Sequence, residues 1–351
     1  MTARPVELRS DTFTRPSPAM RLAMAEAEVG DDVWNEDSTV HRLESLAARL
    51  TGKEAALFVT SGTQGNLVGI LSHTQRGDEV IVGDQSHVFW SETAGTAVVG
   101  GLQLRPLATT TRGLLDPDEV NAAIREDDVH NPRTGCVALE NSHQWSGGRA
   151  ISRSEMESVA EVARDRGIPV HLDGARVFNA AVALGTPLAD LVAPVDSVTF
   201  CLSKGLGAPI GSLLCGSYAY VERARRWRKL LGGGMRQVGV LAAAGLYALE
   251  HNVDRLTEDH EDARLLAEGL AGLPGFRVSP REIETNMVFF EVDPPLVASE
   301  LVEQLATEGV RVSTTGRRLR AVTSLEVSRD DIVRAIDAAA RVKGAATPAI
   351  A

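Results

Sequence analysis

Asp173 closes one short apolar run, VHLD, and Lys204 follows another, VTFCLSK. The residues between them leave room for one helix and a turn. Two parallel strands joined in that way bring their C-terminal ends to one edge of a sheet, the edge at which open α/β sheets bind ligands. An acid and an amine at such an edge suit pyridoxal 5'-phosphate. Its aldehyde is held by a lysine as a Schiff base, and a carboxylate keeps its pyridine nitrogen protonated, so that the ring draws electrons. Taken alone, the same pair reads equally as a helix cap and a solvated loop amine. The surrounding motifs have to decide.

Several lie at places where chemistry is possible. EAALFVTSGTQGNLVGILSHT reads as a strand, a turn and a helix, and the N–H groups of the first helical turn lack partners within the helix. With the helix dipole they make an anion site, in which Ser61, Gly62 and Thr63 would cradle a phosphate. No lysine follows the glycine as in a P-loop, and GxGxxG is absent. DEVIVGDQSHVFW is a further strand ending in a loop that carries His87, and CVALENSHQWSGG ends a strand in Glu140, Asn141 and His143. Arg176 falls three residues past Asp173, on the first turn of the next helix. Each of these residues also has a plain structural reading as a cap, a loop residue or an exposed helix side chain. No metal site is expected, since neither HExxH nor clustered Cys and His spacing occurs.

These side chains need a scaffold large enough to hold them. A chain of 351 residues accommodates one large domain and a smaller one. With 44% hydrophobic and 24% charged residues it has the composition of a soluble globular protein. Its net charge of -11 argues against nucleic acid and anionic membrane as partners, both of which need clustered positive charge. The basic run from Arg223 to Lys229 lacks interleaved aromatics beyond Trp227 and reads as a solvated helix face. Three cysteines, Cys136, Cys201 and Cys215, sit in apolar contexts as reduced core thiols. No signal-like segment and no membrane-length apolar run is present, so a cytoplasmic location is expected.

The order of elements gives an N-terminal arm over residues 1–30, a large α/β domain with a mostly parallel sheet over 31–245, and a small α+β domain over 246–351. Asp37 or Ser38 caps a helix that Gly52 stops. The alanine-rich tail after Lys343 is expected to fray.

The segments LRSDTFTRP, GDDVWNEDSTV, HLDGARVFNA, SKGLGAP and GGGMRQ, in this order along nearly the whole chain, resemble the threonine aldolases. These are fold type I, aspartate-aminotransferase-like pyridoxal-phosphate enzymes. The resemblance implies an aldolase that reversibly splits L-threonine or L-allo-threonine into glycine and acetaldehyde, with a small amino acid and an aldehyde as its ligands. It also implies a homo-oligomer, dimer or tetramer, with shared active sites. It assigns Lys204 to the cofactor aldehyde, Asp173 to the ring nitrogen, Arg176 to the phenolate oxygen and His87 to the ring face. His130 would stand near the substrate hydroxyl, Ser10 and Arg320 at the substrate carboxylate, and Lys229 and Arg236 at a neighbouring subunit's phosphate. The base is left open among His87, His130, a water and the cofactor phosphate. Two positions depart from the family: Trp34 replaces its tyrosine in a segment forming the substrate pocket, and Ser324 replaces a histidine after Arg320. Both bear on substrate preference. A β-eliminating lyase or racemase on the same scaffold, or a non-catalytic cofactor-binding protein, are the rival readings.

Overall fold

A computed structural model describes residues 4–345; the tail, at which fraying is expected, lies largely outside them. The described residues form two compact units, one running from Pro16 to Val253 and the other joining residues 4–15 to residues 254–345. After β1 (Val6–Glu7), the strands β2 (Ala55–Val59), β3 (Glu79–Gly83), β4 (Gln103–Leu107), β5 (Thr134–Glu140), β6 (Val170–Asp173), β7 (Ser197–Cys201) and β8 (Ser212–Gly216) follow in sequence. β2 to β8 build the sheet of the large unit in the order β2-β8-β7-β6-β5-β3-β4. Pairing is parallel from β7 across to β4 and antiparallel on both sides of β8. Six strands therefore run one way and β8 runs against them. This is the mostly parallel α/β sheet expected from the sequence.

Both faces of this sheet are covered. Leu57 and Val59 of β2 pack with Val68, Leu214 and Tyr220, whereas Ala56 and Phe58, alternating with them, are buried on the opposite side. Strands buried on two faces read as continuous apolar runs, as ALFV and VTFC do.

The helix Gly62–His73 lies unusually close to the sheet, and glycine is the reason. A Cβ at Gly62 would come 2.7 Å from Cys201 Sγ, one at Gly65 2.5 Å from Thr199 Cγ2, and one at Gly69 2.6 Å from His171 Cε1. Positions 62, 65 and 69 share one face at helical spacing, so the helix presents a side-chain-free stripe to β6 and β7. Its N-terminus is thereby drawn to the edge where those strands end.

In the other unit, β9 (Phe276–Arg277), β10 (Met287–Val292), β12 (Ser313–Thr315) and β13 (Arg318–Val322) form an antiparallel sheet in the order β12-β13-β10-β9. β1 pairs in parallel with β11 (Val310–Arg311), and Leu8 is buried in the core of this unit with Leu266, Phe290, Leu305 and Ile332. These contacts attach β1 and Leu8 to the segments that follow Asp254 within this unit.

Gly65→Ala should force the helix off Thr199 and lower stability by about 1–3 kcal/mol, as overpacking does. A fall in the urea midpoint would register this; an unchanged midpoint would mean that the helix moves without cost.

Candidate active site

Four of the six co-directional strands deliver a chemically capable residue to one edge. β3 leads through Ser86 to His87, β5 ends on Glu140, β6 ends on Asp173, and Lys204 stands three residues past the end of β7. β2 contributes the Ser61 turn and the helix it opens. The structure thus brings Ser61, Gly62, Thr63, His87, Asp173, Arg176 and Lys204 to the same side of the sheet. Asp173 and Arg176 are buried, and Lys204 is half-buried.

Asp173 is held by donors. Its Oδ1 accepts from the Ala175 N–H at 3.1 Å and its Oδ2 from Asn66 Nδ2 at 2.8 Å. The same Nδ2 donates to Glu92 Oε1, also at 2.8 Å, and Glu92 Oε1 lies 2.9 Å from His87 Nδ1. That hydrogen bond holds the His87 pKa above its ordinary value, against burial. Burial pushes the Glu92 carboxyl up in turn, while the donors from His87 and Asn66 oppose the shift. The ligand atoms of His87, Glu92 and Asp173 lie within 4.8 Å of one another, a spacing a cation could use, but the Asn66 amide already donates into both carboxylates.

Behind Asn66 the polar chain continues. Carboxylates only accept, so the Asn66 amide nitrogen faces them and its Oδ1 faces His171 Nε2 at 3.3 Å. His171 Nδ1 meets Ser197 Oγ at 2.9 Å, and Ser197 Oγ meets His73 Nε2 at 2.7 Å. With both rings neutral, every donor in this chain points toward Asp173. Burial depresses the pKa of His171 to about 4 and that of His73 to about 3.

The Ser61 Oγ accepts from the Gln64 N–H and the Ser61 carbonyl from the Gly65 N–H, which leaves the N–H groups of Gly62 and Thr63 directed out of the helix end. Gly233 approaches the same turn: a Cβ there would come 2.4 Å from the Gln64 amide. Glu140 positions His87 from below, its Oε2 accepting the His87 backbone N–H at 2.7 Å. Asn141 and His143 serve their own loop, through Ile151 and Ser146. These residues fit pyridoxal phosphate on the structure's own terms. A buried carboxylate faces a half-buried lysine's edge of the sheet, and a helix terminus with outward N–H groups stands beside it to take a dianionic phosphate.

A scan of protein-family models matches the beta-eliminating lyases over residues 7–293. This chain belongs to the beta-eliminating lyase family. Among its relatives, the low-specificity L-threonine aldolase 1 of Arabidopsis thaliana is 46% identical over 95% of this chain and 94% of its own. The low specificity L-threonine aldolase of Escherichia coli strain K12 is 47% identical over 93% and 96%. These bear out the resemblance to the threonine aldolases. The fold is that of solved pyridoxal-phosphate enzymes of fold type I. A Leishmania major threonine aldolase matches with a TM-score of 0.83 at 20% identity over 96% of this chain and 99% of its own. An alanine–glyoxylate aminotransferase from Nostoc sp. matches with 0.76 at 18% identity over 98% and 96%.

Other expected site residues of this family member fall into separate groups. Trp34, Lys229 and Arg236 gather at the surface, where Asp31 caps the Trp34 turn and pairs with Arg236 at 2.9 Å. Gly234 packs between Val33 and Lys229. Within the basic run, Arg228 is not a solvated residue: it is buried, its Nη2 2.8 Å from Asp32 Oδ2 and its Nη1 donating to the Phe58 carbonyl at 2.8 Å. It pins the Trp34 loop to β2. In the C-terminal unit, Arg320 Nη2 donates to the carbonyl of Arg9, next to Ser10, at 3.0 Å, so these two residues are brought together there. Ser324 is buried in that unit. His130 lies before β5, at the opposite edge of the sheet from Lys204, with its side chain 87% exposed and 2.7 Å from Asp128. Sequence reasoning missed Asn66, Glu92, His171 and Arg228. Of these, only Asn66 carried a signal, as the polar residue on the glycine-lined face of an apolar helix.

The unfolded chain takes up protons on His73 and His171 near pH 6.5, whereas the folded chain keeps them neutral down to about 4 or below. Stability should therefore fall as pH drops through that window, by roughly 1.4 kcal/mol per pH unit for each histidine. Urea midpoints between pH 7 and 4.5 would trace this decline, and the slope should be shallower in His171→Gln.

Proposed function

We propose that the protein is a pyridoxal-phosphate-dependent aldolase that reversibly splits L-threonine and L-allo-threonine into glycine and acetaldehyde. The observation that carries this reading is the convergence of Lys204, Asp173, His87 and the Ser61 helix terminus on one sheet edge, in a chain 46% identical to a relative of that name. When bound, the cofactor supplies an electron sink for the pair released from the Cα–Cβ bond.

The protein's own residues do the rest. Lys204 provides the amine for the cofactor aldehyde, and Asp173 provides a fixed negative charge for its ring nitrogen. Ser61, Gly62 and Thr63 take the phosphate through the helix end, and Arg176 provides a cation for the phenolate oxygen. His87 would lie against the ring face, and its Nε2 would accept the proton of the substrate's β-hydroxyl. Ser10 and Arg320 take the substrate carboxylate; the planar fork of arginine suits its two oxygens, which a lysine cannot match. The Trp34 loop would help form the substrate pocket.

In this reading the active form is a homo-oligomer, a tetramer, in which Lys229 and Arg236 serve a neighbouring subunit's site. Supporting this, Trp34, Leu230 and Trp90 are large apolar side chains exposed at 72%, 69% and 66%, as side chains that a partner covers would be. A cytoplasmic location accords with three free, buried cysteines, and among the described residues no helix is long and apolar enough to cross a membrane. A second reading, β-elimination, takes its support from the description of the matching family model.

The purified protein should be yellow and release acetaldehyde from L-allo-threonine and L-threonine; ammonia and a keto acid in its place would give the reaction to β-elimination. Lys204→Ala should lose both the visible absorbance and turnover, and full activity in that variant would refute the assignment. Arg320→Lys should raise KM and lower kcat, whereas unchanged kinetics would remove Arg320 from the site.

A further inference from the structure

His87 has two ring nitrogens, and the fold occupies one of them. Nδ1 lies 2.9 Å from Glu92 Oε1, and an ionised carboxylate only accepts, so the hydrogen sits on Nδ1 and Nε2 is left as the proton-accepting atom. Glu92 is buried, its side chain 4% exposed, in the connection between the His87 turn and the helix Gly95–Gly100. It has no role in holding a cofactor or substrate in the reading above. Its Oε1 also receives Asn66 Nδ2, which donates to Asp173 as well, and the orientation of that amide is fixed by His171 on its other side.

We propose that Glu92 is a positioning residue for the reaction: it holds His87 as the Nδ1–H tautomer with Nε2 offered to the site, and Asn66 ties this arrangement to the carboxylate of Asp173. The orientation rests on the hydrogen bonds alone; the use made of Nε2 rests on the aldolase reading.

The other charges facing His87 are Asp173 at the end of β6, Lys204 beyond β7, and Glu140 at the end of β5, which holds the His87 amide. Asp173 favours a charged imidazole and Lys204 opposes it, and the Glu92 hydrogen bond outweighs both. Removing the Glu92 charge should therefore make His87 easier to deprotonate.

Glu92→Gln keeps the shape and an acceptor oxygen while removing the charge. In holoenzyme labelled with 15N-histidine and free of substrate, the His87 resonances, assigned by their loss in His87→Asn, report tautomer and titration together. The wild type should show the Nδ1–H form. In Glu92→Gln the His87 midpoint should fall by about one pH unit, and the acid limb of kcat/KM should move down with it. Glu92→Leu should lose the tautomer preference and lower kcat roughly tenfold or more, with KM little changed. An Nε2–H tautomer in the wild type, or a His87 titration unmoved in folded Glu92→Gln, would overturn the proposal. An enzyme that released no acetaldehyde would defeat the reaction assigned above and leave the tautomer measurement standing, so the two failures are distinguishable.

Discussion

Two carboxylates buried side by side repel one another and lose their hydration, a cost that donors must offset. For Asp173 and Glu92 those donors are the two hydrogens of one amide, the ring of His87 and the N–H of Ala175. The arrangement of the site follows from this constraint. Asn66 must present nitrogen rather than oxygen to the carboxylates, so a donor must face its oxygen, and His171 supplies it. His171 can do so only in one neutral tautomer, which Ser197 and His73 maintain behind it. A positive ring nitrogen placed against Asp173 would meet a negative charge already fixed in place, so little reorganisation would remain at the moment of reaction.

That polar chain is possible only because the helix Gly62–His73 lies nearly in contact with the strands beneath it. Asn66 sits on the helix and its partners sit on β6 and β7, and the three glycines remove the side chains that would hold the two apart. The same close approach brings the helix terminus to the strand ends, so in the proposed reading phosphate recognition and the charge at the ring nitrogen would depend on one packing feature. Arg228 has an equivalent place at the edge strand β2. A guanidinium buried between Asp32 and the Phe58 carbonyl ties the Trp34 loop to the sheet, so one arginine of a run that reads as a solvated helix face is an internal brace.

Much of this was legible in the chain. The apolar runs ending at Asp173 and Lys204 specified parallel strands with both faces buried, and parallel strands of one sheet end on one edge whatever the details of their packing. The Ser-Gly-Thr turn announced a helix start. Glu92 was not legible because its loop has no periodicity, and an isolated glutamate is ordinarily a surface residue. His171 alternates with Asp173's neighbours as any core position does, and its type alone could not say whether it was a partner or a filler. Arg228 was hidden by its basic neighbours, of which Arg223, Arg226 and Lys229 are exposed as expected while it faces inward.

The sequence by itself determined the strand and helix order, the glycine stripe, and which residue types stand at the strand ends, because each follows from local pattern and from the geometry of parallel crossovers. Only the tertiary structure decided which polar groups meet. The pairing of Glu92 with His87, the sharing of Asn66 between two carboxylates and the burial of Arg228 join residues far apart in the chain. Their hydrogen bonds fail if the partners move apart by a few tenths of an ångström, and close packing across the sheet, rather than local propensity, sets those distances.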